Sequence, residues 1–231
     1  MLLPPTNTEI EHIYSQLNRL HVRSIAITSA NPGEGTTSLA TAIAQRHLLA
    51  GNTVLVVDFN LFRPGLEDHG LLEHEEFFTP TLVTLTGESL AFNGIVAPRC
   101  KESVMALRRP EFLQKLITKW QEEYSLIIFD TSPLLRNNAN NIPADVIASA
   151  CDQTLMVIMA GVTTKAMVTE ACEILQQAEA NIGGCIINDL NNPCLRTEML
   201  READRLEPYS PKWQQKIKRW LFNNKFISLG I

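Results

Sequence analysis

The apolar run Ser24–Ser29 leads through the turn Ala30-Asn31-Pro32-Gly33-Glu34-Gly35-Thr36-Thr37-Ser38 into a helix-like stretch at 39–50. No other part of the chain constrains the fold as strongly. A strand, a Gly-containing turn and a helix, in that order, form the setting in which backbone N–H groups and a helix N-terminus hold phosphate. Gly33 and Gly35 permit close approach of the backbone to phosphate oxygens. The phosphate-loop pattern ends Gly-Lys-Ser/Thr, whereas this turn ends Gly35-Thr36-Thr37, with Ala30 in the place of the pattern's first glycine. The unit therefore specifies a fold while lacking the loop's own cation.

Further apolar runs at 53–58, 125–130, 153–159 and 183–188 alternate with helix-like stretches at 37–50, 111–123, 165–180 and 198–205. That alternation predicts an α/β fold, a mostly parallel sheet flanked by helices on both faces. In the stretch 165–180, Val168, Ala171, Leu175 and Ala178 recur on one face, as a sheet-covering helix requires. Gly51-Asn52 is a helix stop before the second strand. Residues 65–108 carry scattered apolar positions and resist assignment. With 231 residues, 45% of them hydrophobic and 19% charged, the chain suits one domain. The expected organisation is an N-terminal helical extension at 1–21, the α/β domain at 22–206 and a basic tail at 207–231.

Net charge is −5, but five basic residues and no acid follow Glu207; with that +5 set aside, the rest carries −10. An acidic body argues against non-specific nucleic-acid binding. Five cysteines, an odd number without metal-ligand spacing, read as reduced thiols of a cytosolic protein. No apolar run approaches the ~20 residues of a membrane span, so the expectation is a cytoplasmic protein, soluble or peripheral at the inner face of the membrane.

Three motifs fall at the carboxyl ends of predicted strands, where open α/β sheets bind ligands. The first is the loop from Ala30 to Ser38. The second is Val54-Leu55-Val56-Val57-Asp58-Phe59-Asn60-Leu61-Phe62-Arg63-Pro64, and the third is Leu126-Ile127-Ile128-Phe129-Asp130-Thr131-Ser132-Pro133. Thr37 stands where a hydroxyl binds Mg²⁺, and Asp130 where a carboxylate holds a metal-bound water.

Together they resemble the bacterial tyrosine autokinases of capsule and exopolysaccharide export, within the Min/Par-type P-loop ATPases. The second motif is similar to that family's Asp-x-Asp-x-x-Arg-Pro element and the third to its Asp-x-x-Pro element. Arg109-Pro110-Glu111-Phe112-Leu113, Pro143-Ala144-Asp145 and Ile186-Ile187-Asn188 extend the likeness over residues 22–190. The resemblance implies ATP and Mg²⁺ as cofactors. It places Pro32, Gly33, Glu34, Gly35, Thr36, Thr37, Ser38, Arg63 and Asn188 around the nucleotide, with Asn188 on the adenine. It gives Thr37, Asp58 and Asp130 to the metal, and Asp58 and Asp130 to catalysis. The implied partner is a membrane chain-length regulator.

The departures are specific. Thr36 replaces the lysine, Asn60 the second acid of the extra motif, and Tyr14 and Leu17 the basic positions of a Glu-x-x-Arg-x-x-Arg assembly motif around Glu11. The family's C-terminal tyrosine cluster is missing; self-association stays open. Losing one member of a buried charge pair costs about 2–5 kcal/mol, or about tens- to thousands-fold. The expectation is an impaired adaptor or regulator. The alternatives are an active ATPase or autokinase with a substitute cation, and a Par/Min-like positioning ATPase. In the tail, at about 100° per residue, Trp213, Ile217, Trp220 and Leu221 cluster away from Lys216, Lys218 and Arg219. Residues 211–226 thus fit either a membrane surface or a helix docked on protein.

Overall fold

The computed structural model describes residues 3–61, 63–66, 80–84, 91–96, 101–136, 141–190, 195–204 and 211–223. Two compact units result, 1–188 and 189–231.

In the first unit, helix α1 (Thr8–Arg19) precedes strand β1 (Ser24–Ser29), helix α2 (Thr36–Leu49) and strand β2 (Val54–Phe59). Strands β3 (Thr81–Thr84) and β4 (Ala91–Val96) follow, then helices α3 (Lys101–Leu107) and α4 (Pro110–Trp120). Strand β5 (Leu126–Thr131), helix α5 (Ala144–Ala150), strand β6 (Gln153–Met159), helix α6 (Lys165–Gln177) and strand β7 (Ile182–Asn188) complete it. The seven strands run in the order β3-β4-β2-β5-β1-β6-β7, all parallel except β3, which pairs antiparallel with β4. The expected α/β sheet with helices on both faces is therefore present.

Alternation along each central strand feeds two cores. Ala26, Leu55, Val57, Ile127 and Phe129 point to one face, where Leu113, Ile117, Ile147, Ala171 and Leu175 of α4, α5 and α6 cover them. Ile25, Ile27, Val54, Val56, Leu126 and Ile128 point to the other, under Ile10 and Leu17 of α1 and Leu39 and Ile43 of α2. Strands buried on both faces must be apolar throughout, so the central ones stand out in the sequence.

The segment 65–108, without assignment from sequence, contributes β3, β4 and α3. β4 includes Asn93 and Gly94, poor strand formers; pairing with β2, Leu55 opposite Asn93 and Val57 opposite Ile95, makes it a strand. Of the cysteines described, Cys151 is buried, Cys172 half-buried and Cys185 exposed.

The second unit holds α7 (Leu195–Asp204) and α8 (Pro211–Asn223), which pack against each other. No helix among the described residues is long and apolar enough to cross a membrane.

Candidate functional site

β1 sits between β5 and β6 in mid-sheet, so the loop leaving it opens at the carboxyl ends of three parallel strands. Gly33 has φ +80° and Gly35 φ +104°, values that L side chains rarely adopt. Gly35 is also the N-cap of α2. It supplies no side-chain bond, and the first turn of α2 carries no acid. The opening N–H groups of a helix lack intrahelical partners, so the positive end of α2 faces the space above the loop.

That space is a cavity of about 280 Å³. Pro32, Gly33, Gly35, Thr36, Thr37 and Ser38 line one side, and Asn60, Arg63, Pro64 and Gly65 line the other. Seven residues chosen from sequence thus meet here, Arg63 among them. Among the described lining residues, Arg63 carries the cationic side chain.

Below lie two carboxylates. Asp58 and Asp130 are register partners on β2 and β5, each 1% exposed. Asp58 shapes the loop after β2: Oδ1 accepts from the N–H of Asn60 at 3.0 Å, and Oδ2 from those of Gly65 at 2.7 Å and Leu66 at 2.9 Å. Asn60 Oδ1 accepts from the N–H of Arg63 at 3.2 Å, which turns the chain over the cavity. Gly65 is required there, because a Cβ would come within 2.7 Å of Thr37 Oγ1.

The Thr37 hydroxyl donates to Asp130 Oδ2, and the Thr36 side chain bonds the same carboxyl. Burial first, and the charge of Asp58 second, push Asp130 up to about 7 against those two hydrogen bonds. Its Oδ1 is buried without a hydrogen-bond partner among the described residues. A lone carboxylate oxygen beside a threonine hydroxyl fits Mg²⁺, which keeps several waters and takes one or two carboxylates plus phosphate oxygens.

Like the two aspartates, the predicted residues Glu34 and Asn188 do not line the cavity. Glu34 turns inward, 2% exposed. Its Oε2 accepts from the N–H of Ala30 at 3.2 Å, and its Oε1 from Thr163 Oγ1 at 2.5 Å and Asn31 Nδ2 at 3.3 Å. Asn188, ending β7, donates from Nδ2 to the Glu34 carbonyl at 2.9 Å, so its amide braces the loop backbone. Sequence reasoning missed Thr163 and Gly65. The Pro64-Gly65 dipeptide is a turn signal that marks the second; Thr163 sits in an ordinary loop after β6 and carries no local signal.

No known family model matches the chain. The tyrosine-protein kinase YwqD of Bacillus subtilis is 27% identical over 79% of this chain and 77% of that protein. The tyrosine-protein kinase CpsD of Streptococcus pneumoniae is 25% identical over 76% and 80%. Among solved structures, the kinase domain of Escherichia coli tyrosine kinase ETK superposes with a TM-score of 0.61 at 22% identity, covering 80% of this chain and 76% of that one. The cobyrinic acid a,c-diamide synthase of Mycobacterium smegmatis, with ADP and magnesium bound, gives 0.58 at 16% identity over 80% and 82%. The chain is thus a homologue of the bacterial tyrosine-protein kinases on a P-loop ATPase fold, with threonine where its phosphate loop would carry lysine.

Proposed function

We propose that this protein is a catalytically impaired, kinase-like adaptor or regulator of capsule or exopolysaccharide synthesis and export. In this reading it holds ATP weakly and turns it over slowly or not at all. It works in the cytoplasm against a membrane chain-length regulator, as the family resemblance implies.

One observation carries the reading: Thr36 stands on the cavity wall in the lysine's place and brings no positive charge to it. The loop then grips phosphate through backbone N–H groups and the α2 dipole alone. Phosphoryl transfer depends on positioning and on neutralising charge at the terminal phosphate. Mg²⁺, when bound, would neutralise part of that charge; this chain's part is Thr37 and Asp130 beside it.

Calorimetry with ATP, with and without Mg²⁺, and turnover by wild type and Thr36→Lys test the proposal. The expected result is weak, Mg²⁺-assisted binding, negligible wild-type turnover, and affinity about tens- to thousands-fold tighter in Thr36→Lys. Robust wild-type turnover overturns it.

A second reading, an active ATPase or autokinase with a substitute cation, draws support from Arg63 on the cavity wall. Label from γ-labelled ATP appearing on a tyrosine of the purified wild-type chain selects it.

A further inference from the structure

α8 has two sides, and they do not divide as helical periodicity alone suggests. Gln214 and Leu221 are buried, and Ile217 and Lys218 half-buried. Gln214 Nε2 donates to Asp204 Oδ1 of α7 at 2.9 Å, and Lys218 pairs with the same carboxylate. This side is occupied by the partner helix. Trp213 and Trp220, expected beside Ile217 and Leu221, are instead exposed, at 63% and 56%.

Seven residues apart, the two tryptophans lie within about 20° of one another around the helix. Lys216 and Arg219 are exposed beside them, and Lys216 Nζ stands 5.4 Å from the centre of the Trp213 ring. Trp213, Lys216, Arg219 and Trp220 therefore form one outward strip of two indoles and two cations.

We infer that this strip is a docking surface for an anionic lipid bilayer, with α8 lying in the headgroup plane. Charge selects that occupant. The segment after Glu207 carries five basic residues and no acid, while the rest of the chain carries −10. An anionic surface repels the body and attracts the tail, so both affinity and orientation come from α8. Indoles prefer the boundary between headgroups and acyl chains, and basic side chains reach phosphates from the same depth. Each basic residue near an anionic leaflet contributes about fivefold in affinity. The inference stands whether or not the cavity in the first unit holds nucleotide.

Flotation of the full chain with vesicles of phosphatidylcholine alone, or containing phosphatidylglycerol, tests it. Wild type is expected to float with the anionic vesicles and not the neutral ones, with a blue shift in tryptophan emission. Lys216→Gln/Arg219→Gln should lower anionic-vesicle affinity about 25-fold. Trp213→Ala/Trp220→Ala should lower it at least about tenfold and abolish the blue shift. All four positions are exposed, and unchanged far-ultraviolet circular dichroism checks that α8 persists. Equal flotation on both vesicle types, or unaltered affinity in both double variants, overturns the inference. So does an oligomer in wild type that Trp213→Ala/Trp220→Ala converts to monomer without any vesicle binding, since the strip would then join copies of the chain.

Discussion

Asp58 and Asp130 face one another across β2 and β5, both almost wholly buried beneath the phosphate loop. Asp58 is held by three backbone N–H groups, whereas Asp130 is held by the hydroxyls of two threonines and keeps one oxygen without a partner among the described residues. The pair is asymmetric: both oxygens of Asp58 hold the loop after β2, and one oxygen of Asp130 has no hydrogen-bond partner among the described residues.

This asymmetry sets a pH dependence. The folded-state value of Asp130, about 7, lies above its ordinary 3.8. Between those values the native state keeps a proton that the unfolded chain has released, so stability falls as pH rises through that window. The proton belongs to the coupled pair rather than to one carboxyl alone. Asp130→Asn should therefore be more stable than wild type at pH 8, with the difference vanishing towards pH 4. Thermal midpoints of both proteins across that range measure it; a constant difference contradicts the assignment.

Gly35 meets two constraints at once. Its φ of +104° is strained for any side chain, and a Cβ would stand 2.7 Å from Asn188 Nδ2. Gly35→Ala should lose about 1–3 kcal/mol in urea unfolding. Pairing it with Asn188→Ala relieves the collision but not the torsion, so a double-mutant cycle should return partial rescue.

The carboxylate of Glu34 receives three donors, one of them the Thr163 hydroxyl. Glu34→Gln puts an amide N–H against one of those donors and should destabilise the protein by about 1–3 kcal/mol. Thr163→Val should act in the same direction, because it removes one donor to that carboxylate. Urea unfolding of both variants measures this; unchanged midpoints would mean that the loop is braced elsewhere.

Arg63 is exposed on the cavity wall. Arg63→Ala should leave the unfolding midpoint nearly unchanged while lowering ATP affinity about tenfold to hundredfold, the range for a hydrogen bond to a charged group. Calorimetry on the two proteins reads this directly, and equal affinities contradict a part for Arg63 in ATP binding.

Much of this was legible in the residues themselves. A strand buried on both faces has to be apolar along its whole length, so β1, β2, β5 and β6 were visible, with a carboxylate near the ends of β2 and β5. Gly33 and Gly35 declare their turn because other residues strain at positive φ. The loss of the lysine is likewise a fact of sequence. What required the folded chain were relationships that no local pattern encodes. Pairing with β2 turned Asn93 and Gly94 into strand residues. Burial side by side raised Asp130, and a contact across 129 residues brought Thr163 to Glu34. Packing of α8 on Asp204 of α7 left Trp213 and Trp220 outside where periodicity grouped them with Ile217 and Leu221. Sequence determines periodicity and torsional preference, which are local; desolvation and side-chain pairing depend on distant segments meeting, and those only tertiary structure decides.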